Sequence, residues 1–359
     1  MRKRHKRLFS VTRTGGIFVL LIAVIVAVGA IKGLNLIYLV AAFMISFMLV
    51  SSLLPRIGLY NLSIERVVPS NIFAEKPFPV DLQLTNKKRR FSTYSIAIND
   101  ILQNQNLPQR YIIKIPPRTT ISAAYEYIIP RRGIYVYDGV KVSTLFPLDF
   151  FMRGFIQHKE ENIIVYPKIV KLNPNFLADL MTEMEMRLNR PGLGTEVYGF
   201  RRYEHGDDTR NINWKITAKT GEVIITKYSQ EQNLHITVVF DNSIEDEIEE
   251  EKDKPDFDWF ESAVTFVASI SSFFIEKGYK VKLLTQSGGT GFGEGTKHLF
   301  QVLRHLAVIQ LVKKTDITKD IYNPSQLEQK LGILVTCEKT HKHPNHFIHT
   351  FHARGIEKL

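Results

Sequence analysis

The spacing of apolar residues changes three times along the chain. Residues 15–31 and 34–54 are almost continuously apolar, separated by Lys32-Gly33, and the second run has only Asn35 and a few Ser as polar members. Each is near the roughly 20 residues that, at about 1.5 Å rise, cross about 30 Å of hydrocarbon. They predict a transmembrane helical hairpin. A cleaved signal peptide would show one such run and a small-residue cleavage site, so the second run argues against it. A core helical pair is the other reading, but buried soluble helices rarely run this long without a charge.

From residue 60 to about 171 the period falls to two. Segments 61–67, 78–84, 93–98, 111–115, 122–129 and 139–143 alternate, with Pro-Ser-Asn, Asn-Lys-Lys, Pro-Pro and Tyr-Asp-Gly turns between them. Six or seven strands with little helix predict an antiparallel β-sandwich, immunoglobulin-like in size. It holds no clustered His, Cys or carboxylate pairs at metal or acid–base spacing, and a spacer or docking module is the plain expectation.

Residues 176–188 read as a helix, broken by the Arg-Pro-Gly-Leu-Gly-Thr stretch at 190–195. Strands are then expected at 222–228, 234–240, 279–285 and 332–336, with helices at 256–276, 296–309 and 345–353. Segment 234–240 is nearly all apolar, as an interior parallel strand is. This alternation implies a parallel sheet covered on both faces. With 345–353 taken as a helix and only 356–359 beyond it, the sheet is expected to be one strand short. The expected domains are 1–56, a basic tail and two spans; 57–172, the sandwich; and 173–359, the α/β domain.

Composition refines this picture. A length of 359 residues with 44% hydrophobic content allows about two or three ordinary cores. The formal charge is +11, but Arg2, Lys3, Arg4, Lys6, Arg7 and Arg13 crowd the start. The basicity is thus partly a tail, and no segment gathers basic residues with stacking aromatics as a nucleic-acid binder would. Cys337 is the only cysteine, which rules out an intrachain disulfide and suits a reducing compartment. Lys and Arg lie before the first run and after the second, so both termini are expected in the cytoplasm, with a multi-pass location in the cell membrane.

The candidate chemistry centres on RRYEHGDDTRNINWKITAK, residues 201–219. Gly206 suits a positive φ at a tight turn, and Asp207 and Asp208 can accept backbone N–H bonds there. Arg201 and Arg210 can hold those carboxylates in bidentate pairs, and Trp214, expected on the outgoing strand, would anchor the loop on the sheet. This describes a brace or a partner-docking loop. A hydrolase-type site using His205, Asp207 and Asp208 is the alternative, but the stretch has no Ser or Cys nucleophile.

Arg201, Tyr203, Gly206, Asp207, Asp208, Arg210, Ile212, Trp214 and Ala218 match the signature of the domain of unknown function 58 family residue by residue, and the chain is identified as a member. The resemblance extends to the two-span start and to Arg131-Arg132-Gly133-Ile134-Tyr135. Those are membrane-associated bacterial and archaeal proteins usually encoded beside MoxR-type AAA+ ATPases. The resemblance implies a von Willebrand factor A-like domain after the signature. It also implies an adaptor or chaperone-like role toward such an ATPase and other membrane proteins, in envelope or stress-related assembly; the missing nucleophile in the signature stretch is what sets catalysis behind that role.

In von Willebrand A domains the central strand ends in Asp-x-Ser-x-Ser, hard oxygen ligands for a divalent cation. Here Asp241 and Ser243 match, Glu245 replaces the last Ser, Thr296 is the candidate Thr, and Thr336-Cys337-Glu338 stands where Thr-Asp-Gly would. Mg²⁺ or Mn²⁺ is the cofactor such a degenerate site would take. The acidic run at 245–255 reads as a solvated loop. The glycine-rich loop at 288–295 lacks a Gly-Lys-Ser/Thr ending, so no nucleotide of the chain's own is expected. His341, His343, His346 and His349 read as a basic surface helix with the capacity to capture Zn²⁺ or Ni²⁺, His346 and His349 lying one turn apart.

Overall fold

The computed structural model describes residues 5–188, 196–229, 235–244, 258–313, 332–337 and 347–353. The expected break at 190–195, the acidic run with Glu245, Glu338, and His341, His343 and His346 lie outside the described residues. The chain divides into two units, Met1–Tyr166 and Pro167–Leu359.

The first unit begins with a strand, β1 (His5–Val11), then α1 (Arg13–Lys32) and α2 (Asn35–Leu59). Both helices are long and apolar enough to cross a membrane, with mean hydropathies of 2.7 and 2.3. Thr12 caps α1 by accepting the Gly15 N–H at 3.0 Å. The second helix continues five residues beyond the apolar run, although Pro55 removes one backbone donor. Its end is held from outside: Lys88 Nζ donates to the carbonyls of Gly58 (2.7 Å) and Tyr60 (3.1 Å), and Thr93 Oγ1 also donates to Gly58 O at 2.9 Å. These donors meet carbonyls that the last helical turn leaves open.

Nine strands follow: β2 (Leu62–Val67), β3 (Ile72–Phe73), β4 (Phe78–Asn86), β5 (Thr93–Leu102), β6 (Gln105–Asn106), β7 (Arg110–Ile115), β8 (Thr120–Tyr127), β9 (Gly133–Thr144) and β10 (Phe151–Tyr166). One antiparallel sheet has the order β2-β4-β8. The other runs β1-β10-β9-β5-β6, with β7 also on β5 and β3 parallel to the end of β10. Period-two patterning does its expected work: Phe78, Val80, Leu82 and Leu84 of β4 all point inward. They share one core with Ile96, Ile98, Val142 and Val165 of the larger sheet.

Two features of this unit were not foreseen. The basic tail is partly an edge strand, since β1 pairs antiparallel with β10 in the register Leu8↔Gly154. The start of α1 is fixed to the same place: Thr12 N–H donates to Phe150 O at 3.1 Å, and Phe18 stacks on Phe150 at 4.4 Å. Gly15 permits the approach, because a Cβ there would lie 2.3 Å from Phe150 O. The core also encloses a charge cluster. Arg66 Nε donates to Asp100 Oδ2 at 2.9 Å, its Nη2 bonds Oδ1, Tyr125 donates to Oδ2 at 2.8 Å, and the guanidinium lies 4.0 Å from the Tyr137 ring centre.

The second unit contains α3 (Pro174–Leu188), β11 (Glu196–Arg202), α4 (Trp214–Thr220), β12 (Ile224–Ser229), β13 (His235–Asp241), β14 (Ser243–Ile244) and α5 (Asp258–Glu276). Next come β15 (Lys280–Thr285), β16 (Gly288–Gly289), α6 (Gly295–Val308), β17 (Val312–Lys313), β18 (Gly332–Thr336) and β19 (Phe347–His352). The main sheet has the order β16-β15-β13-β18-β19, parallel except for the two residues of β16. The apolar run of β13 is buried at its centre, as expected of an interior strand.

One expectation is overturned here. Residues 347–352 form a strand, not a helix, and lie parallel to β18. Phe347 and Phe351 are both buried, and a spacing of four satisfies a helix and a strand alike. The edge beyond β18 is therefore occupied, not open. His349 lies on that strand, with its Nδ1 3.3 Å from Glu183 Oε2.

Candidate functional site

The signature stretch folds as a clip between two antiparallel strands. Phe200, Arg201 and Arg202 of β11 pair with Thr226, Ile225 and Ile224 of β12, and Tyr203 N–H donates to Val223 O at 2.8 Å. The chain then reverses at Gly206, whose φ of +109° favours glycine. Asp207 is the hub of that turn. Its Oδ2 accepts from Arg201 Nη1 (2.7 Å) and Glu204 N–H (2.9 Å), and its Oδ1 accepts from Arg201 Nη2 (2.5 Å). The Arg201 guanidinium, then the Glu204 amide, hold the Asp207 carboxyl below its ordinary range. The foreseen bidentate pair is thus present between Arg201 and Asp207.

Asp208 does different work. Its Oδ1 accepts the Arg210 N–H at 3.0 Å and caps a single 3-10 turn, Thr209–Asn211. The Arg210 guanidinium is exposed and makes no ion pair among the described residues, contrary to the expectation of a second Arg–carboxylate pair. Asn213 follows and was not foreseen. Its Oδ1 accepts from Ile216 N–H (3.2 Å), its own N–H donates to Ile224 O (2.8 Å), and its Nδ2 reaches Thr226 Oγ1 (3.3 Å). This cap starts α4, which ends at Gly221 with φ +72°.

Trp214 is consequently the first residue of a helix and not part of the outgoing strand. Most of its side chain faces solvent: it is 68% exposed, and Phe200 is 52% exposed on the same clip. His205 is exposed in the turn. The three groups of the catalytic alternative therefore stand apart in role, with Asp207 committed to Arg201, Asp208 to a cap and His205 to solvent.

The second candidate place is the carboxyl end of β13. The sheet order reverses there, with β15 on one side and β18 on the other, and such switch points open the crevice where α/β sheets bind ligands. Asp241, Asn242 and Ser243 are all buried. Asp241 Oδ1 accepts from Ser243 N–H (3.1 Å), Ser243 Oγ (2.7 Å) and Gln286 Nε2 (3.2 Å). Asn242 bridges loops, donating to Gln310 O (2.6 Å) and accepting from Gln286 N–H (3.0 Å). Gln286 and Asn242 carried no recognisable sequence signal, because their roles depend on loops brought together by the sheet.

Thr296, the third proposed ligand, is exposed in the first turn of α6. Ser243 donates its hydroxyl proton to Asp241, and no group of three His, Cys, Asp or Glu fit to hold a metal occurs among the described residues. The described donor set falls short of the octahedral oxygen cage that Mg²⁺ requires, and no chemistry is assigned to a metal here.

Residues 199–341 match the model of the family described as Protein of unknown function DUF58. No curated protein matches the chain. Among solved structures it is similar to the CARDB domain of a Pyrococcus furiosus protein (10% identity, TM-score 0.22, 29% of this chain and 91% of that one). It is also similar to a Listeria innocua β-glucosidase (9%, 0.21, 29% and 16%) and to the sporulation control protein Spo0M of Bacillus subtilis (11%, 0.18, 40% and 58%). Scores this low leave those likenesses without bearing on fold or function. The family match, in contrast, starts within β11 and takes in the clip, β13 and β18, and over residues 199–341 the chain carries the domain of the proteins of unknown function DUF58.

Proposed function

We propose that the chain is a membrane-anchored interaction module. The helical hairpin spans the cell membrane with both ends in the cytoplasm, the first unit carries an immunoglobulin-like sandwich, and the second is a von Willebrand factor A-like domain. The carrying observation is the division of labour in the clip. Arg201 with Asp207, Asp208 and Asn213 hold the turn, the 3-10 cap and the helix cap, while Trp214 and Phe200 are left to solvent. Large aromatics exposed on a rigid, internally satisfied element are what a docking surface needs, since Trp and Tyr dominate interface energetics. The partner is a MoxR-type AAA+ ATPase, as the resemblance of the signature implies.

Trp214→Ala tests this reading. Affinity recovery of the tagged full chain from native membranes is expected to bring down an AAA+ ATPase with the wild type and about thirtyfold less with the variant, the loss that removing a hot-spot side chain of roughly 2 kcal/mol produces. The melting temperature should be unchanged, because the side chain makes little contact. Equal recovery with both proteins, or no ATPase with either, overturns it.

A further inference from the structure

A cleft of about 860 Å³ lies between the end of α2 and the β1/β10 edge, inside the size range of small-molecule sites. Its cationic side chains come from three separate elements: Arg7 of β1, Arg56 in the last turn of α2, and Arg153 of β10. Strand register explains the grouping. Arg7 faces Phe155 and Phe9 faces Arg153, and because residues two apart share a face, basic and aromatic side chains alternate on one surface. The Arg153 guanidinium lies 4.6 Å from the Phe9 ring centre, a cation–π contact.

What this cleft lacks is a counter-charge. Among the described residues no carboxylate lines it and none of the three arginines makes an ion pair. Arg153 Nε is buried without a hydrogen-bond partner. Burial, and after it the neighbouring Arg56 charge, push the Arg153 guanidinium below its ordinary range. Like charges gathered in a partly desolvated place are unfavourable unless an anion joins them. The position says which anion. The uncharged run of α2 ends at Leu54, so Arg56 stands just past the hydrocarbon-crossing length, and exposed Tyr60 (72%) and Phe9 (56%) flank it as aromatic side chains do at headgroup depth.

We infer that this cleft binds the phosphate of an anionic membrane lipid, with Arg56 and Arg153 gripping its oxygens and Arg7 at the mouth. Guanidinium groups suit the task, since they match phosphate oxygens bidentately. The inference rests on the proposal that the hairpin spans a membrane.

The test uses the full-length protein in neutral detergent, with lipid retention read by native mass spectrometry. Phosphatidylglycerol is expected to be retained in preference to phosphatidylcholine. Arg56→Gln, Arg153→Gln and Arg7→Gln should each weaken retention about five-fold, the factor given by about 1 kcal/mol per basic side chain at an anionic surface. Arg7→Gln lies on an edge strand and serves if the other two unfold, and Arg153→Lys, which keeps the charge but loses the planar fork, should weaken retention less than Arg153→Gln does. Equal retention of the two lipids overturns the assignment, as does unchanged retention in the Gln variants. Displacement of the lipid by millimolar inorganic phosphate also overturns it, making the ligand a soluble anion. Alkaline washing of membranes is run in parallel. A chain that washes off defeats the hairpin reading itself, while one that stays but shows no lipid preference defeats the cleft alone.

Discussion

Lys88 shows how much one side chain can do for an element it does not belong to. It is 7% exposed, and its ammonium group reaches two carbonyls at the end of α2 and the Thr93 hydroxyl. Burial pushes it down from 10.5 to about 8. Between those values the unfolded chain holds a proton that the folded chain has released, so folding is favoured as pH rises through that window; the desolvation penalty is at its fullest below pH 8. We therefore expect thermal stability of the detergent-solubilised protein to gain between pH 8 and 10 relative to Lys88→Met, which loses that pH dependence. Above about pH 10, where that penalty has gone, the same variant should be less stable by about 1–3 kcal/mol, because Gly58 and Tyr60 lose a buried donor. Scanning calorimetry of both proteins across the pH range checks the two claims together. Nothing in the sequence marked this lysine, since its acceptors lie about 30 residues away and become visible only when α2 stops against the sheet.

At the scale of the element, the clip makes its prediction through Asn213. Removing an N-cap side chain costs about 1 kcal/mol, and α4 has only seven residues over which to spread the loss. Asn213→Ala should therefore fray 214–220 locally, seen as faster amide hydrogen exchange there, while exchange in β13 and β18 stays unchanged. The pattern Asn213, a helical stretch and Gly221 is a cap-to-cap signal that could have been read in advance. It was hidden by the attraction of Trp214 to a strand. The 347–352 strand was hidden for another reason: its two buried phenylalanines are four apart, and only parallel pairing with β18 decides between the two periods. By contrast α1 and α2 were legible because nothing but an apolar run of that length is needed to specify them. The Arg201–Asp207 pair was legible too, because its partners are six residues apart in one turn, whereas the Asp241 surroundings draw on loops 45 and 68 residues away.

At the scale of the molecule, the first sheet ties the segment before α1 to the strands beyond α2. Because β1 hydrogen-bonds to β10, both ends of the hairpin must lie on one side of any membrane it crosses. Single cysteines placed at exposed Ser10 and Lys87 should therefore respond alike to an impermeant maleimide, and if both ends are cytoplasmic, as proposed, both resist it in intact cells and react after permeabilisation; labelling of only one of them in intact cells contradicts the pairing. The same strand sets an order of events during synthesis. Its seven residues leave the ribosome ahead of the hairpin, yet their partner is not made until both apolar helices and the other strands of the first unit have cleared the tunnel. Until then β10's eventual neighbour waits alone, and the newly made β10 has an unprotected flank if the early segment is lost or detained. A chain shortened by its first eleven residues would keep its two greasy helices and its core, and yet be prone to stick to its own copies along that bare rim.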